Sequence, residues 1–246
     1  MTGELTFIFP DWPAPTHVRA VSTTRAGGVS RGPYASFNLG DHVGDDPVAV
    51  ARNRELLREA LALPAEPVWL RQVHGTRVID TARGDAHGEA DGAWSAQPGV
   101  VCAVLTADCL PVLLCDRTGT RVAAVHAGWR GLAAGVIEQG VHALGVAPEE
   151  LLAWLGPAIG PRAFEVGPEV RAAFVQHDAA AAGAFVPSHD GRYLADIYAL
   201  ARLRLSALGV TRIEGGGFCT VTDRDRFFSF RRDGSCGRMA TLIWLE

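Results

Sequence analysis

Two imidazoles and a thiol stand where apolar runs give way to polar or glycine-rich turns. His74 closes Val-Trp-Leu-Arg-Gln-Val-His, Cys109 closes Ala-Val-Leu-Thr-Ala-Asp-Cys, and His126 opens His-Ala-Gly-Trp-Arg-Gly. A His–Cys–His set is a zinc ligand set one donor short of tetrahedral closure, and an open position admits water or substrate. The intervals, 35 and 17 positions, are too long for a zinc finger, whose ligands come in tight pairs. A site of this kind has to be assembled by the fold. Each residue also has an ordinary reading. A single histidine is commonly a satisfied structural group, and a buried cysteine is commonly inert. The chemical reading holds only if the three side chains converge.

The flanking residues extend the chemistry. Asp108 precedes the thiol and can orient a metal-bound imidazole or move a proton; a strand-end cap is its alternative. Gly128 and Gly131 bracket Trp129-Arg130 at a strand-to-helix corner, where missing side chains let a ligand approach the backbone. Arg25, Arg71, Arg130, Arg231 and Arg232 flank the same turns and suit bidentate phosphate binding, with solvated surface as the alternative for each. Phe227, Phe228 and Phe230 offer either a stacking surface for a flat base or the core positions of a strand. All 23 cationic side chains are arginine, which excludes Schiff-base lysine chemistry and a phosphate-loop lysine. His-Glu-x-x-His, Gly-x-Gly-x-x-Gly and Pro-Cys-x-x-Cys are absent from the sequence, so the common zincin, dinucleotide and deaminase signatures do not apply. Gly28-Val-Ser30-Arg-Gly32 matches a nucleophile elbow, but the segment after it does not read as the helix an elbow requires.

Alternating and 3.6-residue patterns supply the elements that must hold these residues. Strands are expected at 17–24, 67–73, 77–80, 100–106, 111–115, 121–126, 151–155, 211–218 and 239–245. Helices are expected from Asp46-Pro47 to Leu63 and at 131–144, 168–177 and 193–208. Residues 31–46 and 83–91 read as loop, Asp116–Gly119 as a tight turn, and 179–184 as a helix end or loop. Short turns between neighbouring strands favour antiparallel pairing, so the fold class is α+β with a mixed sheet. The 246 residues carry no Pro/Ser/Gly-rich linker, which fits one domain spanning 1–246. A net charge of −4 without a basic block argues against nucleic-acid binding. No run is long enough for a membrane span, the N-terminus lacks signal-peptide character, and five cysteines without a staple pattern suit a reducing cytoplasm.

Seven motifs occur in order: Gln72-Val-His74-Gly, Ala90-Asp91-Gly92, Thr106-Ala-Asp108-Cys109-Leu-Pro111, His126-Ala-Gly-Trp-Arg-Gly131, Gly156-Pro-Ala-Ile, Phe164-Glu-Val-Gly167 and Phe228-Ser-Phe-Arg-Arg-Asp-Gly234. Through them the chain resembles the bacterial laccase-domain family, also called polyphenol-oxidase-like or peptidoglycan editing factor proteins. The resemblance implies a four-layer α/β/β/α sandwich and zinc held by His74, Cys109 and His126. It implies phosphorolysis of adenosine, inosine, guanosine and methylthioadenosine, together with adenosine deamination, so the partners are a nucleoside and phosphate. On this reading Asp108, Cys109 and Arg130 are the catalytic candidates, and Arg25, Asn38, Arg71, Gln72, Phe228, Arg231 and Arg232 bind substrate. Copper is the lesser alternative to zinc, because a multicopper oxidase needs many paired histidines and this chain has eight, dispersed. Two other readings stay open: a metal-free Cys–His hydrolase and a non-catalytic role in editing cell-wall precursors. Ser235-Cys236-Gly237 and the alanine-rich 176–192 depart from the family pattern and bear on pocket shape.

Overall fold

A computed structural model describes residues 4–83 and 88–246. The strands are β1 (Phe7–Ile8), β2 (Val18–Thr23), β3 (Val78–Asp80), β4 (Gly92–Ser95), β5 (Cys102–Thr106), β6 (Leu110–Asp116), β7 (Val122–Ala127), β8 (Leu151–Leu155), β9 (Glu165–Val166), β10 (Phe185–Pro187), β11 (Tyr193–Ala195), β12 (Arg212–Gly215) and β13 (Met239–Leu245). The α-helices are α1 (Pro47–Leu61), α2 (Trp129–Ala134), α3 (Val136–Leu144), α4 (Pro168–Val175), α5 (Ile197–Ala207) and α6 (Phe230–Asp233).

One sheet runs β1-β2-β13-β5 and is antiparallel throughout. A second runs β12-β8-β6-β7-β4-β3, with parallel pairing at its two edges and antiparallel pairing between. Side-chain alternation divides each strand between two layers. Cys102, Val104, Ile243 and Leu245 of the first sheet pack on Leu113, Cys115, Val122, Ala124, Leu152 and Trp154 of the second. The outer face of the first sheet, through Val21, Leu105, Leu242 and Trp244, meets Leu57 of α1 with Phe37 and Leu39. The outer face of the second, through Leu110, Val112, Val125 and Leu155, meets α2, α3, α4 and α5. The result is the expected α/β/β/α sandwich, with a small β10-β11-β9 sheet beside it. Burial on both faces explains why β5 to β8 read as nearly unbroken apolar runs.

Local chemistry sets the element ends. Asp46 accepts the Val48 N–H at 2.9 Å and Pro47 occupies the first turn of α1, a favourable start. The helix expected at 131–144 is divided in two at Gly135, whose φ of 100° caps α2 in the left-handed region. The helix expected from 193 begins at Ile197, because the Asp196 carboxylate accepts the N–H groups of Tyr198 and Ala199 and leaves Tyr193–Ala195 to a strand. The strand expected at 211–218 stops at Gly215; Gly215 and Gly216 both have φ of 77°. Residues 67–73 form no ladder. They make only isolated bridges, Val68–Cys102 and Arg71–Glu89, and Gln72 takes the ladder's place: its Nε2 donates to Leu105 O at 2.8 Å and its Oε1 accepts Leu105 N–H at 2.7 Å. The loop expected at 83–91 includes 84–87, which lie outside the described residues. Among the described residues no helix is long and apolar enough to cross a membrane.

Candidate metal centre

Strand period and corner geometry bring the three donors together. His126 lies on the same side of β7 as Val122 and Ala124, so its ring is directed toward the space between the sheets and is 3% exposed. Cys109 sits in the short connection from β5 to β6 and is half-buried. His74 occupies a left-handed corner with φ of 61°. The His74 and His126 rings meet edge to face at 4.8 Å, and Cys109 Sγ is 3.7 Å from His74 Nε2. All three donor atoms lie within 4.8 Å of one another. Around tetrahedral zinc with ordinary Zn–S and Zn–N bonds, ligand atoms sit about 3.5 Å apart. The donor set therefore fits a metal with small side-chain adjustments and leaves room for a fourth ligand.

Asp91 organises this set. It is fully buried, and its carboxylate accepts the N–H groups of Val73, His74 and Gly75 at 3.2, 2.9 and 2.6 Å. Those bonds hold the corner that carries His74. The same carboxylate accepts from His126 Nδ1 at 2.8 Å, and the Asp91 carbonyl accepts the His126 N–H at 2.7 Å. With Nδ1–H committed to a carboxylate, Nε2 keeps its lone pair for a metal. Burial raises the Asp91 carboxyl, but the His126 hydrogen bond and charge and the backbone donors hold it below its ordinary value. Burial opposes charge on Cys109 as well. The His126 charge and the hydrogen bonds from His126 and His74 outweigh it and bring the thiol down to about 6. Burial disfavours the imidazolium of His126, yet the Cys109 thiolate and Asp91 raise it to about 9.

Gly128 leaves space for two of the donors. A Cβ there would stand 2.7 Å from His74 Cδ2 and 3.1 Å from Cys109 Sγ. Its backbone is ordinary, with φ of −62°, so only the methyl group matters in Gly128→Ala. That variant is expected to fold and to bind zinc at least about tenfold more weakly, as displaced ligands generally do. Competition against a chromophoric chelator measures it, and unchanged affinity would show that His74 does not bind.

The donors open into a cleft of about 310 Å³ lined by His74, Asp108, Cys109, Trp129, Arg130, Ile159, Phe164, Ile197, Phe230 and Arg231. The Arg130 guanidinium stacks on Trp129 at 4.6 Å. Among the residues expected from sequence, His74, Cys109, His126, Asp108, Arg130 and Arg231 thus meet in one place. The others lie apart from the cleft lining. Arg25 donates to Ala35 O and Arg224 O and covers Phe228, which is fully buried. Arg232 binds Asp233 and the carbonyls of Thr220, Val221 and Phe227. Asn38 is buried and ties Gly40, Asp45 and Arg238 together. Arg71 is exposed beside Glu89, and Gln72 is spent on Leu105. Of the three phenylalanines, Phe227 and Phe228 are core and Phe230 is the exposed one at the cleft. Sequence reasoning did not single out Asp91 as a site residue. Its only signal was its place in the Ala90-Asp91-Gly92 motif.

The family described as multi-copper polyphenol oxidoreductase laccase matches residues 19–246. A Pseudomonas aeruginosa protein named purine nucleoside phosphorylase is 61% identical over 241 residues, covering 98% of each chain. An Escherichia coli protein of the same name, YfiH, is 58% identical over 239 residues, covering 97% of this chain and 98% of its own. The crystal structure of a Neisseria meningitidis protein superposes with a TM-score of 0.94 at 53% identity, over 98% of this chain and 99% of that one. YlmD from Geobacillus stearothermophilus superposes with a TM-score of 0.88 at 32% identity, over 98% of this chain and all of that one. Agreement in sequence and fold over nearly the whole length places the chain in the laccase-domain family.

Proposed function

We propose that this chain is a zinc-dependent purine nucleoside phosphorylase, acting on adenosine, inosine, guanosine and methylthioadenosine, that also deaminates adenosine. The observation that carries the reading is the convergence of His74, Cys109 and His126 at a cleft walled by Trp129, Phe230 and two arginines. The names of its relatives point the same way. Zinc, when bound, supplies a Lewis acid with one position open to water or a substrate oxygen. Trp129 and Phe230 offer flat apolar surface to a purine. Arg130 holds phosphate toward the ribose. A phosphate oxygen bonds the anomeric carbon as the glycosidic C–N bond breaks, and the departing base nitrogen takes the electron pair and, in net balance, the proton that hydrogenphosphate gives up. In deamination, water replaces the exocyclic amine, which leaves as ammonia. The expected setting is the cytoplasm.

Zinc is preferred to copper on the donor set. Among the described residues this is the one cluster of three or more His, Cys, Asp or Glu donors, whereas a multicopper oxidase needs several. A blue-copper site would add a weak axial thioether. Met239 instead packs in a separate buried cluster with Phe227 and Phe228, where its sulfur accepts the Phe228 N–H at 3.2 Å. The test is adenosine incubated with metal-replete protein, with and without phosphate. Ribose 1-phosphate and free base should form only with phosphate, and inosine without it. Absence of phosphate-dependent base release overturns the reading.

A second reading has its own observation: Cys109, His126 and Asp91 stand in the order of nucleophile, base and orienting carboxylate. This would make a metal-free thiol hydrolase. The depressed thiol gives a direct check. In metal-free protein, alkylation of Cys109 by iodoacetamide should be half-maximal near pH 6 rather than near 9, because the thiolate is the reactive form. Zinc should block it. Peptide mass spectrometry at Cys109 reads both, and activity that survives chelation but not alkylation would favour the hydrolase.

A further inference from the structure

Asp108 is the one carboxylate among the described residues lining the cleft, which makes proton transfer its obvious task. Its hydrogen bonds say otherwise. Oδ1 accepts from Thr220 Oγ1 at 2.6 Å, and Oδ2 accepts the Arg231 N–H at 2.6 Å. The backbone at Asp108 has φ of 97°, in the left-handed region, and its carbonyl accepts the Ile159 N–H at 2.9 Å. Thr220 in turn donates its N–H to Ala158 O, and its carbonyl accepts from the Arg232 guanidinium. Arg231 is held a second time, through Nη1 to Glu165 O at 2.8 Å. One carboxylate thus ties the β5–β6 connection, the loop after β12 and the first turn of α6.

The segment so held is the one that presents Phe230 and Arg231 to the cleft. Phe230 is 58% exposed and buries little to hold itself in place. Without the carboxylate, the Arg231 N–H would lose its charged acceptor. We infer that Asp108 is a positioning residue: it fixes the Phe230–Arg231 segment as a wall of the substrate cleft beside the metal donors. Substrate affinity therefore depends on Asp108 through these two residues, while metal binding does not.

The test compares Asp108→Asn, Asp108→Gly and Thr220→Val with the parent protein by amide hydrogen exchange at Arg231, zinc content and nucleoside kinetics. Glycine suits the left-handed backbone at 108, so Asp108→Gly deletes the carboxylate without adding strain. Asparagine is also at home there. It can reproduce both contacts, its Oδ1 accepting from Arg231 and its Nδ2 donating to the Thr220 hydroxyl oxygen. In Asp108→Gly the Arg231 amide should exchange about tenfold faster or more, since a hydrogen bond to a charged group is lost. The nucleoside KM should rise by a similar factor at stoichiometric zinc. Asp108→Asn should recover most of both losses and keep the parent pH profile of kcat. Thr220→Val should fall between. Unchanged exchange at Arg231 in Asp108→Gly overturns the inference. So does an Asp108→Asn as inactive as Asp108→Gly with one limb of its pH profile gone, which would make the carboxylate a proton carrier. The kinetic arm rests on the proposed phosphorylase activity. If the parent protein releases no base, that reading fails separately and the exchange at Arg231 decides the role of Asp108.

Discussion

Cys109→Ser is expected to abolish zinc binding and to lower phosphate-dependent base release by about 10³-fold or more. The serine hydroxyl stays protonated near neutrality, whereas the thiol is held near 6 and is ready to ligate as thiolate. Loss of the softest of three donors leaves two imidazoles, one short of the three protein ligands a catalytic zinc site keeps. A catalytic metal supplies several kcal/mol of transition-state stabilisation, and each 1.36 kcal/mol is about tenfold in rate. The fold should survive, because Cys109 is half-buried and serine is close in size. Elemental analysis and base release on the same preparation give the result, with the melting temperature as control. A folded Cys109→Ser that keeps one zinc and full turnover would show that the three side chains do not act as a metal site.

The largest stability effect belongs to Asp91. Asp91→Ala is expected to cost about 3–5 kcal/mol, the usual consequence of breaking a buried, hydrogen-bonded charge pair from one side. Three N–H groups at 73–75 would lose their shared acceptor, and His126 would keep a buried ring with Nδ1–H unpaired. In a chain of this size that corresponds to a fall in Tm of roughly 6–20 °C. Metal affinity should drop about 10- to 100-fold, as it does when a ligand's orienting partner is removed. Asp91→Asn keeps the volume, but its amide would place a donor against N–H donors, so it should recover only part of the loss. Thermal unfolding of metal-free and zinc-loaded protein separates the two effects. An Asp91→Ala protein with parental Tm would mean that the corner at His74 is held by other contacts.

The strands and helices that frame the site were legible because their patterns are strong. β6, β7 and the turn at Asp116–Gly119 follow from apolar runs bounded by turn residues, and α1 from its Asp-Pro start. Residues 67–73 misled because a β-like composition there is satisfied by a side chain, Gln72, in place of a ladder. Arg25, Arg71 and Arg232 lie outside the cleft lining, a placement the sequence does not reveal, because an arginine near a functional turn reads the same whether its guanidinium faces a ligand or a carbonyl, and carbonyls take two of these three.

Residue type and spacing supplied the candidate donors: His74, Cys109 and His126 are groups able to ligate a metal, each at or beside the end of an apolar run. Their convergence, Asp91 beneath them and the engagement of Asp108 with Thr220 and Arg231 were decided by tertiary structure. The reason is the range of the forces. Periodicity and turn preference act over a few neighbours and leave a trace in local sequence. A hydrogen bond between residues 35 or 123 positions apart depends on how two sheets stack, and no local pattern encodes it.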